Sequence, residues 1–159
     1  MRLVASSRAI IDNPSAAFDR PDLLPRSPRA RAARKLRVLL VEDDEADAYL
    51  IRRALAGNPR IGEIVRAQDG IEALALIDRG TVKPDLAIVD LHMPRKDGFA
   101  LLREFATREA AGFPSVVLTS SRAGADALRS KMRGAVEFLT KPNSAKKLSA
   151  ALDRVVAGI

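Results

Sequence analysis

The chain has 159 residues, 47% hydrophobic and 30% charged, which fits one ordinary domain with a packed core and a modest extension. It has no cysteine, which excludes disulfides, thiolate metal sites and cysteine nucleophiles, and its 4% aromatic content makes the core aliphatic. The net charge of +7 is uneven: residues 1–36 hold eight Arg or Lys against Asp12, Asp19 and Asp22, which leaves only +2 for residues 37–159.

Residues 1–35 mix Arg, Ala, Ser and Pro, and Pro14, Pro21, Pro25 and Pro28 interrupt any helical or strand period. This segment reads as a disordered basic arm, with the folded domain expected over 36–159. Clustered arginines attract phosphates, so nucleic acid is a partner only through this arm, and a solvated tail is the more economical reading. Its makeup also resembles a transit peptide, against which the three aspartates count. No apolar stretch approaches the roughly 18 residues of a membrane span, and Met1-Arg2-Leu3-Val4 lacks the apolar region of a secretory signal. A soluble cytoplasmic protein with no membrane partner is the expectation.

From Arg37 onward short apolar runs alternate with segments of helical period. Strands are predicted near Arg37–Val41, Glu63–Ala67, Leu86–Asp90, Ser115–Thr119 and Val136–Leu139. The continuous apolar character of the first, third and fourth suits strands buried on both faces of a parallel sheet. The helices between them carry Ala46, Tyr49, Leu50 and Ala54; then Ile71, Leu74 and Ala75; then Phe99, Leu102, Phe105 and Ala106. The fourth, around Ala125, Leu128 and Met132, has a thin apolar stripe, and the last, with Leu148, Ala151, Leu152, Val155 and Val156, is the most regular. Gly57-Asn58-Pro59, Asp69-Gly70, Arg79-Gly80, Asp97-Gly98 and Gly134 mark boundaries, and Asn143 or Ser144 is placed to cap the final helix. Five βα units in order predict a doubly wound α/β sandwich.

Ligand sites in such sheets lie outside the carboxyl ends of the strands. Three of those ends carry chemistry: Glu42-Asp43-Asp44, Asp90 and Lys141. Taken alone, Glu42, Asp43 and Asp44 are either a metal-binding rim or a capping cluster, and capping is the commoner use of acids in a first turn. Asp90, at the mouth of the run Leu86-Ala87-Ile88-Val89, has little structural reason to be there unless paired or coordinated. Carboxylates gathered at one rim repel one another and call for a cation. Mg²⁺ answers that need, because it takes oxygen ligands and pairs one or two carboxylates, here Asp43 and Asp90, with a substrate phosphate. Lys141 would then neutralise a phosphoryl group, although a lone lysine is most often simply solvated. Thr119 would offer a hydroxyl, although threonine in a strand is usually a β former.

Val41-Glu42-Asp43-Asp44, Asp90-Leu91-His92-Met93-Pro94 through Asp97-Gly98, Leu118-Thr119-Ser120 and Phe138-Leu139-Thr140-Lys141-Pro142 together resemble the receiver domain of two-component response regulators. The resemblance spans about residues 36–157, and Pro94-Arg95-Lys96-Asp97-Gly98 is similar to small single-domain receivers such as phytochrome-associated regulators. It implies a flavodoxin-like (βα)5 fold, a five-stranded parallel sheet in the order 2-1-3-4-5. It implies that Asp90 is the phosphoacceptor, that Asp43 binds Mg²⁺ directly, that Glu42 assists through water, and that the His92 backbone carbonyl is a further ligand. Thr119 and Lys141 would hold the phosphoryl group, Phe138 would be the aromatic switch, and Lys141–Pro142 would be a cis peptide. His92 and Ser121 would flank the phosphoryl group and tune its lifetime.

The expected function is that of a free-standing, Mg²⁺-dependent acceptor of a phosphoryl group from the phosphohistidine of a sensor histidine kinase or histidine phosphotransfer protein. It is not otherwise an enzyme: it catalyses only its own phosphorylation and dephosphorylation. Because the sequence stops at Ile159, no output domain is expected, and output is a protein–protein contact, phosphoryl relay, or a homodimer through the switching face. Two other classes fit less well. A hydrolase working through an aspartyl phosphate would carry a second acid where His92 stands, and a nucleotide-binding module would need a G-x-x-x-x-G-K-[ST] loop that is absent. A nucleic-acid adaptor would act through the arm.

Overall fold

The computed structural model describes residues 34–108 and 112–159. The basic arm expected over 1–35 therefore lies, except for its last two residues, outside the described residues. Five strands, β1 (Leu36–Val41), β2 (Ile61–Ala67), β3 (Leu86–Val89), β4 (Ser115–Thr119) and β5 (Ala135–Thr140), alternate with α1 (Glu45–Ala56), α2 (Gly70–Asp78), α3 (Gly98–Thr107), α4 (Gly124–Met132) and α5 (Ala145–Ala157). All pairings are parallel and the order is β2-β1-β3-β4-β5, as expected.

The two-residue period of the strands divides the core. Val38, Leu40, Ile88, Val116 and Leu118 face α1 and α5, meeting Ile51, Leu55, Leu148, Leu152 and Val155. Leu39, Val41, Ala87 and Val89 face the other way, against Ala73 of α2 and Leu101 and Phe105 of α3. A third cluster, Leu91, Phe99, Leu102, Val117 and Ala135, closes the α3–β4–β5 corner, and Phe138 packs against it.

Two helices are turned in part from their expected faces. α1 buries Ala48, Ile51 and Leu55, keeps the expected Ala54 packed against the core, and leaves Tyr49 and Leu50 60% and 44% exposed. It carries two apolar stripes, and the one with the compact Ala48 allows closer approach to the sheet. In α2 Gly70 and Ala73 are buried and the expected Leu74 packs against the core, while Ile71 is half exposed. The thin stripe expected on α4 is real: Leu128 and Met132 are exposed, and Ser130 is its one buried residue. The five apolar residues expected to face inward on α5 are all buried, and Ser144 caps that helix by accepting from the Lys147 N–H at 3.3 Å.

No cis peptide occurs among the described residues, so Lys141–Pro142 is trans, against the expectation. Trans is the lower-energy form of an X–Pro bond, by about 0.5–1 kcal/mol.

The segment after β3 is held close to the sheet. The Gly98 N–H donates to the Leu91 carbonyl at 3.0 Å, and a Cβ at Gly98 would overlap the Asp90 carbonyl oxygen and lie 2.8 Å from Leu91 Cα. Both obstacles are backbone, so relief requires moving the chain that carries Asp90. Gly98→Ala should therefore lower unfolding stability by about 1–3 kcal/mol, the range for overpacking. Urea titration checks this, and an unchanged midpoint would show that the loop yields freely.

Candidate functional site

The parallel register brings the strand ends to one mouth. The Glu42 N–H donates to the Ala67 carbonyl at 3.0 Å, Asp90 N–H to Val41 at 3.0 Å, and Lys141 N–H to Thr119 at 2.7 Å. Backbone bonds thus lock the residue after each strand to its neighbour, and the side chains converge on a cleft of about 320 Å³. Glu42, Asp43, Asp90, His92, Thr119 and Lys141, all singled out in the sequence, line it. Phe138 does not; it lies on β5 beside Val117 of β4, half-buried against the third core cluster.

Asp90 is 7% exposed, and one carboxylate oxygen accepts from the Leu91 N–H at 2.7 Å. Its other oxygen lies 3.5 Å from Lys141 Nζ. The ammonium is nearer to two other acids: 2.8 Å from Glu42 Oε2 and 2.6 Å from Asp47 Oδ2. Glu42 is 1% exposed, and its Oε1 accepts from the Asp44 N–H at 3.2 Å. No donor is properly aimed at its Oε2, so the Lys141 contact there is charge proximity rather than a directed hydrogen bond.

Burial pushes the Glu42 carboxyl up to about 7; Lys141 and the Asp44 N–H pull it back, and the Asp90 charge adds to the rise. Burial pulls the Lys141 ammonium down, but its contacts with Asp47 and Glu42 and the charge of Asp90 outweigh this and hold it above its ordinary value. The site keeps its cation charged and leaves its deepest acid short of compensation.

Glu42, Asp43 and Asp90 each offer a carboxylate oxygen within 4.8 Å of the others, a donor set of hard oxygens. Thr119 is fully buried at the end of β4; its Oγ1 accepts from the Ser121 N–H at 3.3 Å and lies 3.5 Å from His92 Nδ1. Ser121 also binds Asp126 of α4 at 2.6 Å, which ties the hydroxyl position to the start of that helix.

Three supporting residues escaped the sequence reading. Arg66 of β2 donates to the Glu42 and Asp43 carbonyls, both at 3.0 Å, and pairs with Glu45, fixing the acidic turn. Arg95, whose φ of 64° is left-handed, pairs with the buried Asp69 and anchors the loop after Asp90. Asp47 holds Lys141. Only Asp47 had a readable signal, a fifth acid after Glu42, Asp43, Asp44 and Glu45, one turn beyond Asp43.

The chain is similar to known proteins over this same region. It is 34% identical over 133 residues to a protein-glutamate methylesterase/protein-glutamine glutaminase of Symbiobacterium thermophilum, a match covering 81% of this chain and 36% of that protein. The chain thus spans about a third of that relative's length. Among solved structures, the phosphorylated cyanobacterial phytochrome response regulator RcpA is 31% identical with a TM-score of 0.71, covering 76% of this chain and 91% of that one. The Mn(2+)-bound response regulator Rcp1 is 29% identical with a TM-score of 0.68, over the same shares. The family model for the response regulator receiver domain matches residues 38–153, from the first strand into the last helix. A match of that extent, on a sheet of this order, makes the chain a member of the response regulator receiver domain family of two-component signalling.

Proposed function

We propose that the domain is a Mg²⁺-dependent phosphoacceptor, taking a phosphoryl group onto Asp90 from the phosphohistidine of a sensor histidine kinase or histidine phosphotransfer protein. The observation that carries this reading is the Asp90 carboxylate at the mouth of the cleft, 3.5 Å from Lys141 and grouped with Glu42 and Asp43. Two structural neighbours are described as phosphorylated and as Mn(2+)-bound, which supports both halves of the reading.

A divalent cation suits the residues present. The donors are all oxygen, and the buried Glu42 Oε2 lacks a directed partner. Asp43, Asp90 and the His92 carbonyl would hold Mg²⁺, with Glu42 acting through water; when bound, it would supply positive charge against the phosphoryl oxygens. In the transfer, a carboxylate oxygen of Asp90 forms the new bond to phosphorus as the donor's P–N bond breaks, and the imidazole leaves with the electron pair and takes up a proton. Lys141 Nζ pairs with the transferred group and the Thr119 hydroxyl donates to it. The new charge of about −1.5 to −2 draws Thr119 inward, and Phe138 turns into the space vacated.

The face that would change is the one around α4 and β5, where Leu128, Met132 and Val136 are 63%, 78% and 59% exposed. A target protein or second copy of the chain is the proposed partner there. No described helix is long and apolar enough to cross a membrane, in keeping with a proposed cytoplasmic place beside a kinase. The chemistry proposed is confined to the domain's own phosphorylation and dephosphorylation.

Incubation with Mg²⁺ and acetyl phosphate should yield one phosphoryl adduct by intact mass, absent in Asp90→Ala and absent with excess chelator. An adduct surviving Asp90→Ala would refute the assignment. His92→Ala should change the adduct's decay rate by several-fold, since the ring stands beside Thr119, and an unchanged rate would remove His92 from control of its lifetime.

The raised Glu42 value adds a pH dependence. In metal-free protein the folded state holds the Glu42 proton more tightly than the unfolded state, whose carboxyl titrates near 4.5, so this group's contribution to stability is lost as pH rises from about 4.5 to about 7. Relative to Glu42→Gln, the wild type should lose about 2–3 kcal/mol of unfolding stability between pH 4.5 and pH 8. Urea titrations in chelator at both values test it, and a difference independent of pH would mean that Lys141 fully compensates the acid.

A further inference from the structure

Lys141 makes its shortest contact with an acid outside the phosphoacceptor set. Its Nζ lies 2.6 Å from Asp47 Oδ2, against 2.8 Å to Glu42 and 3.5 Å to Asp90. Asp47 stands in the first turn of α1, its backbone N–H held by the Asp44 carboxylate at 2.8 Å, so the position of its carboxylate is fixed by the helix start. Among the described residues, Lys141 is the one hydrogen-bond partner of the Asp47 side chain. The two are unequally solvated, with side-chain exposures of 37% for Asp47 and 13% for Lys141. Asp47 can therefore be left to water at small cost, whereas Lys141 cannot. Beside the pair lies a small cavity of about 40 Å³, bounded by Leu50, Ile51, Pro142 and Leu148.

We infer that Asp47 is a positioning residue, a resting-state counter-ion that holds the Lys141 ammonium to one side of Asp90 and gives it up when Asp90 is phosphorylated. The inference rests on the acceptor reading above. The phosphoryl group outbids Asp47 because it brings more charge and three acceptor oxygens into a less solvated place. Until then the Asp47 contact works against capture of the phosphoryl group. Removing it makes Lys141 available to Asp90 from the start.

The test uses the full chain as wild type, Asp47→Asn, Asp47→Glu, Lys141→Met and the Asp47→Asn/Lys141→Met pair. The rate of adduct formation with Mg²⁺ and acetyl phosphate should rise about threefold to tenfold in Asp47→Asn, the size of one released charge-assisted contact. It should return toward wild type in Asp47→Glu. In the Lys141→Met background the same Asn substitution should change the rate less than about 1.5-fold, because a residue acting through Lys141 has nothing left to act on. Metal-free ¹⁵N NMR of the lysine ammonium groups gives a second readout: the Lys141 signal should be protected from exchange in the wild type and lose that protection in Asp47→Asn. An unchanged or slower rate in Asp47→Asn, or an unaltered Lys141 signal, overturns the inference. A gain that persists without Lys141 also overturns it, since Asp47 would then merely repel the anionic donor. A wild type that forms no adduct refutes the acceptor reading and this inference with it, whereas an adduct formed at equal rates refutes this one alone.

Discussion

One ammonium among too many carboxylates is the constraint around which the rest of the molecule is arranged. Lys141 faces Glu42, Asp47 and Asp90 within 3.5 Å, and Asp43 stands at the same rim. Repulsion among these acids would disperse them in a flexible chain. Here it cannot, because β1, β3, β4 and β5 are parallel and each is bonded to its neighbour in the sheet, so the side chains that follow must share one mouth. The hydrophobic core supplies the force that resists the repulsion. Glu42 registers the residual imbalance most directly, since its carboxyl is pushed up to about 7 by burial that Lys141 only partly offsets.

Holding charges together also requires that their supporting loops not relax. Arg66 ties down the Glu42 and Asp43 carbonyls, Asp69 and Arg95 clasp the loop after Asp90, and Gly98 lets that loop lie directly against the β3 end. A left-handed Arg95 costs on the order of 1 kcal/mol, which pairing with a buried carboxylate offsets. The support weakens toward α4. That helix buries only Ser130 and lacks a side-chain N-cap bond, and its Arg129 and the Arg133 that follows it lie over the Phe99 ring at 4.1 and 5.6 Å. Cation–π contacts at a surface are worth roughly 0.5–1 kcal/mol each, weak enough to exchange. The region proposed to move is thus the one with least holding it, and Ser121 links it to the Thr119 end of the cleft.

The sheet was legible because strands buried on both faces must be apolar throughout, and Val38–Val41, Leu86–Val89 and Val116–Leu118 are. The cleft was legible because a parallel sheet converts strand order into spatial convergence without any side-chain detail. What escaped were choices that sequence leaves degenerate. α1 offers two apolar stripes, and only packing against α5 and the sheet selects Ala48, Ile51 and Leu55 over Tyr49 and Leu50. Arg66 looks like an ordinary surface charge, and Asp47, though it extends an acidic run, does not name its partner, since those partners lie 24 and 94 residues away. The Lys141–Pro142 isomer is another such choice, and it is trans.

The same imbalance explains why a phosphoryl group at this rim would be a temporary mark. It would add negative charge where acids already outnumber the one lysine, so its stay depends on cations drawn from elsewhere: a bound metal, and a Lys141 taken from Asp47. A domain with a balanced rim would bind the group more comfortably and change less on doing so. By keeping its lysine engaged and its deepest acid undercompensated, this one makes arrival of the group a rearrangement of every charge in the cleft. Thr119, buried and linked through Ser121 to α4, is where that rearrangement would pass from electrostatics into packing.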